Sequence, residues 1–193
     1  MVRFEWLPSM GKGSRLRGEN FTTYGFFDRC WVNFVHDKVK KRYFDAYKIC
    51  EETCPESQVC PANLAIGGCF FLIANFIKTG TQCWTMTPLL ESGKPIHRHG
   101  LKDVWGYKLE FDNKGKAGNL EIDYETTAKH IAAVEKAALE NGISIQKIIF
   151  DPVLQPFLFE TQEGKKLRHL PFTSNRVAIR HDDHYHIDFK LSD

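Results

Sequence analysis

At 193 residues the chain is long enough for one well-cored domain and short for two. Its 26 basic and 24 acidic side chains leave a net charge of +2, which gives no electrostatic footprint for nucleic acid, and no run reaches the ~18 consecutive apolar residues of a membrane span. An apolar fraction of 42% with fifteen Phe suits a folded core and argues against extensive disorder.

Residues 1 to about 27 carry Gly11, Gly13, Gly18 and Gly25 and read as an irregular arm. Met1 to Met10 does not read as a signal peptide, because Glu5 and Pro8 interrupt it and no apolar stretch follows. From Val32 to about Glu51, Val35, Val39, Tyr43, Tyr47 and Cys50 recur at helical spacing, so this is an amphipathic helix with its stripe in the core. The basic run Lys38 to Arg42 reads as its solvated face. Cys54 to Gly68 is a loop broken by Pro55 and Pro61, and Cys69 to Asn75 and Trp84 to Thr87 are candidate strands.

Ser92 to Lys102 reads as a loop, and Tyr107, Leu109 and Phe111 alternate with charged residues as a strand ending in the turn Asn113-Lys114-Gly115. Asp123 is the expected N-cap of a helix whose stripe runs Ile131, Val134, Ala138 and Leu139 and which stops at Asn141-Gly142. Ile145 to Phe150 is a buried strand, Asp151 to Phe159 opens a short helix, and Ile179 to Phe189 is the last strand. The pattern predicts a single α+β domain over residues 1 to 193, an antiparallel sheet with helices packed on it.

Six cysteines, Cys30, Cys50, Cys54, Cys60, Cys69 and Cys83, include three crowded around the proline-broken loop. A loop with so little regular structure gains from a covalent tie, so at least one disulfide is expected among Cys50, Cys54, Cys60, Cys69 and Cys83, which implies an oxidising compartment. Mass measurement after non-reducing alkylation checks this. Six alkylated thiols in protein made in an oxidising compartment would favour the rival reading of reduced, buried thiols and a cytoplasmic home.

The densest chemistry lies at the end of the chain, where Arg180-His181-Asp182-Asp183-His184-Tyr185-His186-Ile187-Asp188-Phe189 places three of the eight histidines within six positions. On a strand, His184 and His186 project to one face. Two imidazoles there can share a metal site, one as ligand and the other as base or oxyanion stabiliser, with Asp182 and Asp183 orienting the rings. The competing reading is a solvated strand end.

This stretch resembles the terminal metal-binding motif of the penicillin-insensitive murein endopeptidases, within the wider LAS-type zinc peptidases that include lysostaphin-type enzymes and D-Ala-D-Ala carboxypeptidases. The resemblance extends through Gly106-Tyr107-Lys108-Leu109-Glu110-Phe111-Asp112, Asn119-Leu120-Glu121-Ile122-Asp123, Ile148-Ile149-Phe150-Asp151-Pro152 and Leu154-Gln155-Pro156. It is fainter upstream, in Gly18-Glu19-Asn20-Phe21 and Phe34-Val35-His36-Asp37-Lys38-Val39. It implies a metallopeptidase fold, a bacterial cell-wall setting in the periplasm or outside the cell, and zinc as cofactor. It also implies His186 as final ligand, His184 as neighbouring catalytic histidine and His181 as a further active-site histidine.

The family's other two ligands are a His followed after six residues by an Asp. With the register fixed on Gly80 and Met86-Thr87-Pro88, those positions hold Ile77 and Trp84, neither of which binds zinc. An alternative set lies in His97-Arg98-His99-Gly100-Leu101-Lys102-Asp103, where His97, His99 and Asp103 are competent donors, although His97 and Asp103 are separated by five residues. The resemblance therefore implies either a member with no zinc or weakly bound zinc, which binds peptidoglycan peptide or a protein partner without cutting it, or an active zinc endopeptidase using the 97 to 103 loop. A disulfide-rich secreted domain with an adventitious histidine cluster is a third reading.

Overall fold

The computed structural model describes residues 13–15, 34–53, 81–96, 109–176 and 180–191. In chain order these form β1 (Gly13–Arg15), β2 (Phe34–His36), α1 (Asp37–Thr53), β3 (Gln82–Met86), β4 (Leu89–Glu91), β5 (Lys94–Ile96), β6 (Lys116–Ala117), β7 (Leu120–Ile122), α2 (Tyr124–Glu140), β8 (Ile143–Ile149), α3 (Gln155–Glu160), a 3-10 turn (Gly164–Leu167) and β9 (His184–Leu191). Helices and antiparallel sheets together give the α+β composition the pattern predicts, but the strands fall into three sheets: β1-β2, β3-β9-β8 and β5-β4-β7-β6.

The middle sheet organises the molecule. Its central strand, β9, is antiparallel to both neighbours and buried from His184 to Phe189. Tyr185, Ile187 and Phe189 join the hydrophobic core with Ile131, Val134 and Ala138 of α2 and Val39, Ala46 and Tyr47 of α1. Fully buried aliphatic side chains such as Ile131, Ile148, Leu158 and Ile187 each contribute roughly 1.5–3 kcal/mol by leaving water.

α2 starts where its cap predicts. The Asp123 carboxylate accepts from the Thr126 amide at 2.9 Å, an interaction worth about 1 kcal/mol, and Asn141 and Gly142 close the other end. Leu139 does not complete the buried stripe, being 64% exposed. α1 begins at Asp37 rather than Val32, because Phe34–His36 pair with Gly13–Arg15 as a strand, so His36 ends a strand and Asp37 begins the helix. Arg42 is not on a solvated face. It is buried and donates to the Asn141 carbonyl at 3.1 Å, while Lys41 beside it reaches the Asn141 side chain, so this basic run ties α1 to the end of α2.

Part of the expected loop after Glu91 is a hairpin. Ser92 and Gly93 both take positive φ, 51° and 77°, which is the two-residue turn that matches strand twist. Pro95 is tolerated because β5 is an edge strand. Leu109 to Asp112 forms no strand despite its alternation. The Phe111 backbone is held by side chains, its amide donating to the Asp182 carboxylate at 3.0 Å and its carbonyl accepting from Arg180 at 2.7 Å. The last strand starts at His184 instead of Ile179 among the described residues, so Arg180 to Asp183 is an irregular approach to it. β8 begins at Ile143 and alternates in burial rather than being buried throughout. The short helix after Pro152 is present as α3.

Of the cysteines, Cys50 is buried on α1, and Cys83 lies on β3. Cys30, Cys54, Cys60 and Cys69 lie outside the described residues, as do the candidate strand 69–75, Ile77, His97, His99 and Asp103.

Candidate metal centre

β9 and the segment before it bring His181, His184 and His186 together. Ring centroids stand 4.8 Å apart for His181 and His184, 4.6 Å for His181 and His186, and 5.1 Å for His184 and His186. His184 and His186 share a face because side chains alternate along a strand, while Tyr185 between them turns to the helical core, its ring 5.8 Å from that of His130.

His181 is not on the strand, and its place comes from the ties of the approach. Its carbonyl accepts from the Asp151 amide at 2.9 Å, and the Asp183 carbonyl accepts from the Thr87 amide at 2.9 Å. Asp182 receives both the Phe111 amide and the Arg180 guanidinium, the latter at 2.5 Å. Arg180, to which sequence patterning assigned no task, therefore supports the cluster together with Asp182, read from the sequence as orienting the rings. The signal available for Arg180 was its position beside His181.

All three histidines, with Asp182 and Asp183, are buried, between 2% and 7% exposed. That removes the reading of a solvated strand end. Burying so many polar groups is unfavourable unless something compensates it. Part of the compensation is internal, since Asp183 Oδ1 lies 2.6 Å from His184 Nδ1, while Asp183 Oδ2 has no hydrogen-bond partner among the described residues. Burial pushes the Asp183 carboxyl up, against the His184 contact that lowers it. Burial, followed by the charges of His184, His181 and Lys147, holds His186 well below the usual imidazole range. A neutral imidazole is the form that ligates a metal.

The three rings could hold a metal ion. One nitrogen from each ring lies within 4.8 Å of the others, and among the described residues this is the one such group of three. In a tetrahedral site with zinc to nitrogen bonds of about 2.0–2.1 Å, two ligands stand ~3.4 Å apart, so nitrogens spread over as much as 4.8 Å have to draw inward by more than ~1 Å to share one ion. Asp183 against His184 is the carboxylate to imidazole contact that orients a metal ligand and raises its basicity. A zinc ion held by three imidazoles lowers the pKa of a bound water toward neutrality and polarises a carbonyl. The chain's own part is to hold the three imidazoles close together and shielded from water.

Across from the cluster runs β3, with Met86 paired to His184, Trp84 to His186 and Gln82 to Asp188. Gln82 donates to the Asp188 carboxylate at 2.6 Å, and burial raises the pKa of that acid. Position 84, where the resemblance expects an aspartate, therefore stands directly opposite His186.

Three other titratable residues among those described have separate tasks. His169 is exposed and pairs with Glu135 at 2.6 Å. Asp151 holds a turn through the Val153 amide, as its proline neighbour suggests. His130 is buried behind the cluster, with its Nδ1 2.5 Å from the Tyr185 hydroxyl.

No protein-family model matches the sequence, and comparison with the curated proteins finds no match. Among the described residues no helix is long and apolar enough to cross a membrane.

Proposed function

We propose that this chain is a murein endopeptidase-like protein of LAS metallopeptidase type, acting in the bacterial periplasm or outside the cell. It holds zinc weakly on His181, His184 and His186 and binds peptidoglycan peptides without hydrolysing them. One observation carries the reading: the position directly across from His186 holds Trp84 and not a carboxylate. Three imidazoles that must contract to share an ion, with no acidic fourth partner at that position, favour loose binding.

The expected result is less than one equivalent of zinc after dialysis, with the residue lost in His186→Ala. The same protein should co-sediment with purified peptidoglycan and leave crosslinked muropeptides intact. The alternative is an active zinc-dependent endopeptidase, favoured by the buried contact between Asp183 and His184. One equivalent of zinc that survives dialysis, together with cleavage of the crosslink, would establish that alternative. Failure to sediment with peptidoglycan would shift the partner to a protein.

A further inference from the structure

A narrow cleft opens beside the histidine cluster, between the end of β8 and the segment 171–176, and Asp151, Thr173 and His181 are among its lining residues. Counted as the space open to the centre of a water molecule, it measures about 10 Å³. One water needs roughly 10–15 Å³ on that measure and two to four polar partners, so the cleft admits a single water and nothing larger.

The walls supply such partners and hold them still. The Thr173 amide donates to the Ile148 carbonyl at 2.9 Å and the Thr173 carbonyl accepts from Gln155 at 2.7 Å, so the residue is fixed on both sides of its side chain. Its hydroxyl is buried and has no hydrogen-bond partner among the described residues, which is unfavourable unless a further group answers it. Asp151 is buried too. Its Oδ1 accepts from the Val153 amide at 2.9 Å and from Arg176 Nε at 3.2 Å, and its Oδ2 accepts from a terminal Arg176 nitrogen at 3.2 Å. A carboxylate offers roughly four lone-pair directions, so Oδ2 has capacity for one more donor.

The third wall is His181. It precedes the strand, and its carbonyl is tied to the Asp151 amide at 2.9 Å, whereas His184 carries the Asp183 carboxylate on its Nδ1. A histidine that ligates a metal through one ring nitrogen is oriented by a hydrogen bond from the other, to a carboxylate, a carbonyl or a water. We infer that this cleft binds one ordered water, which accepts from the outer ring N–H of His181 and from the Thr173 hydroxyl and donates to Asp151 Oδ2. Thr173 is then a positioning residue of the metal centre, acting on His181 through that water. The inference rests on the reading of the three histidines as the functional centre.

Three measurements on the full chain test it. A crystal structure of the metal-free protein should show the water within hydrogen-bond distance of Thr173 Oγ1 and of a His181 ring nitrogen, and a cleft with no ordered water overturns the inference. In long-range proton–nitrogen NMR of the metal-free protein, His181 should hold one tautomer in wild type and in Thr173→Ser, and a mixture of both in Thr173→Val, which keeps the shape of the side chain but removes the hydroxyl. Zinc affinity should fall about tenfold in Thr173→Val, the lower end of what an outer hydrogen bond contributes, and recover in Thr173→Ser. A His181 signal or a zinc affinity that Thr173→Val leaves at the wild-type value overturns the inference. So does an equal loss in both variants, which would trace the effect to packing. A wild type that binds no zinc overturns the metal reading alone, and the water and the His181 tautomer then decide the inference by themselves.

Discussion

Replacing Trp84 by Asp together with Ile77 by His should convert weak zinc binding into tight binding. The two strands fix the argument for position 84, because directly opposed residues of an antiparallel pair place their Cβ atoms about 4.5–5.5 Å apart, and Trp84 is the Cα partner of His186. A carboxylate installed there reaches the histidine cluster from the neighbouring strand. It adds a negatively charged donor to the three imidazoles, so the affinity gain should exceed the roughly 10- to 100-fold worth of a supporting outer contact. Position 77 lies outside the described residues and enters through the resemblance, so Trp84→Asp alone belongs in the comparison. Placing a charge within a strand can itself destabilise the fold, so the measurement counts for variants whose melting remains cooperative. Folded single and double variants that bind zinc no better than the parent would remove position 84 from the metal face. The loop bearing His97, His99 and Asp103 would then become the better source of ligands.

The sequence carried this site unevenly, for physical reasons. Alternation along a strand was enough to place His184 and His186 on one face, and a cap with a stop signal was enough to locate α2 from Asp123 to Asn141. His181 could not be positioned by periodicity, since it lies before the strand and is held by a backbone bond from Asp151, thirty positions away. Burial was also invisible: His-Asp runs are usually solvated, and here a central strand covered on both faces makes them interior. Leu109 to Asp112 misled in the opposite direction, because alternation describes half-buried backbone whether a strand or a pair of charged side chains binds it. Arg42 looked like one of four neighbouring basic residues, yet the carbonyl end of α2 gives it an interior acceptor.

Acid should destabilise the fold steeply through His130, one turn of chemistry behind the cluster. The side chain is fully buried in α2, where Nδ1 lies 2.5 Å from the Tyr185 hydroxyl and Nε2 has no hydrogen-bond partner among the described residues. Burial pushes its pKa from the ordinary 6.5 down to about 3. The unfolded chain therefore takes up this proton near pH 6.5 while the folded protein refuses it until about pH 3. Stability from this residue is complete above pH 6.5 and drains away as the pH falls toward 3, at up to ~1.4 kcal/mol per pH unit. Several kcal/mol is a large part of the roughly 5–15 kcal/mol that holds a domain together. Asp183 and Asp188 work in the opposite direction, since burial raises their pKa values and acid then favours the folded state, whereas His186 adds to the loss. The difference between wild type and His130→Phe isolates the one residue. Urea midpoints measured from pH 7 to pH 4 in the absence of metal should fall markedly less in His130→Phe, while Tyr185→Phe, which keeps the imidazole buried, should preserve the wild-type slope. Identical slopes in wild type and His130→Phe would mean that the imidazole reaches solvent and that the polar pair behind the metal centre is not sealed as the structure draws it.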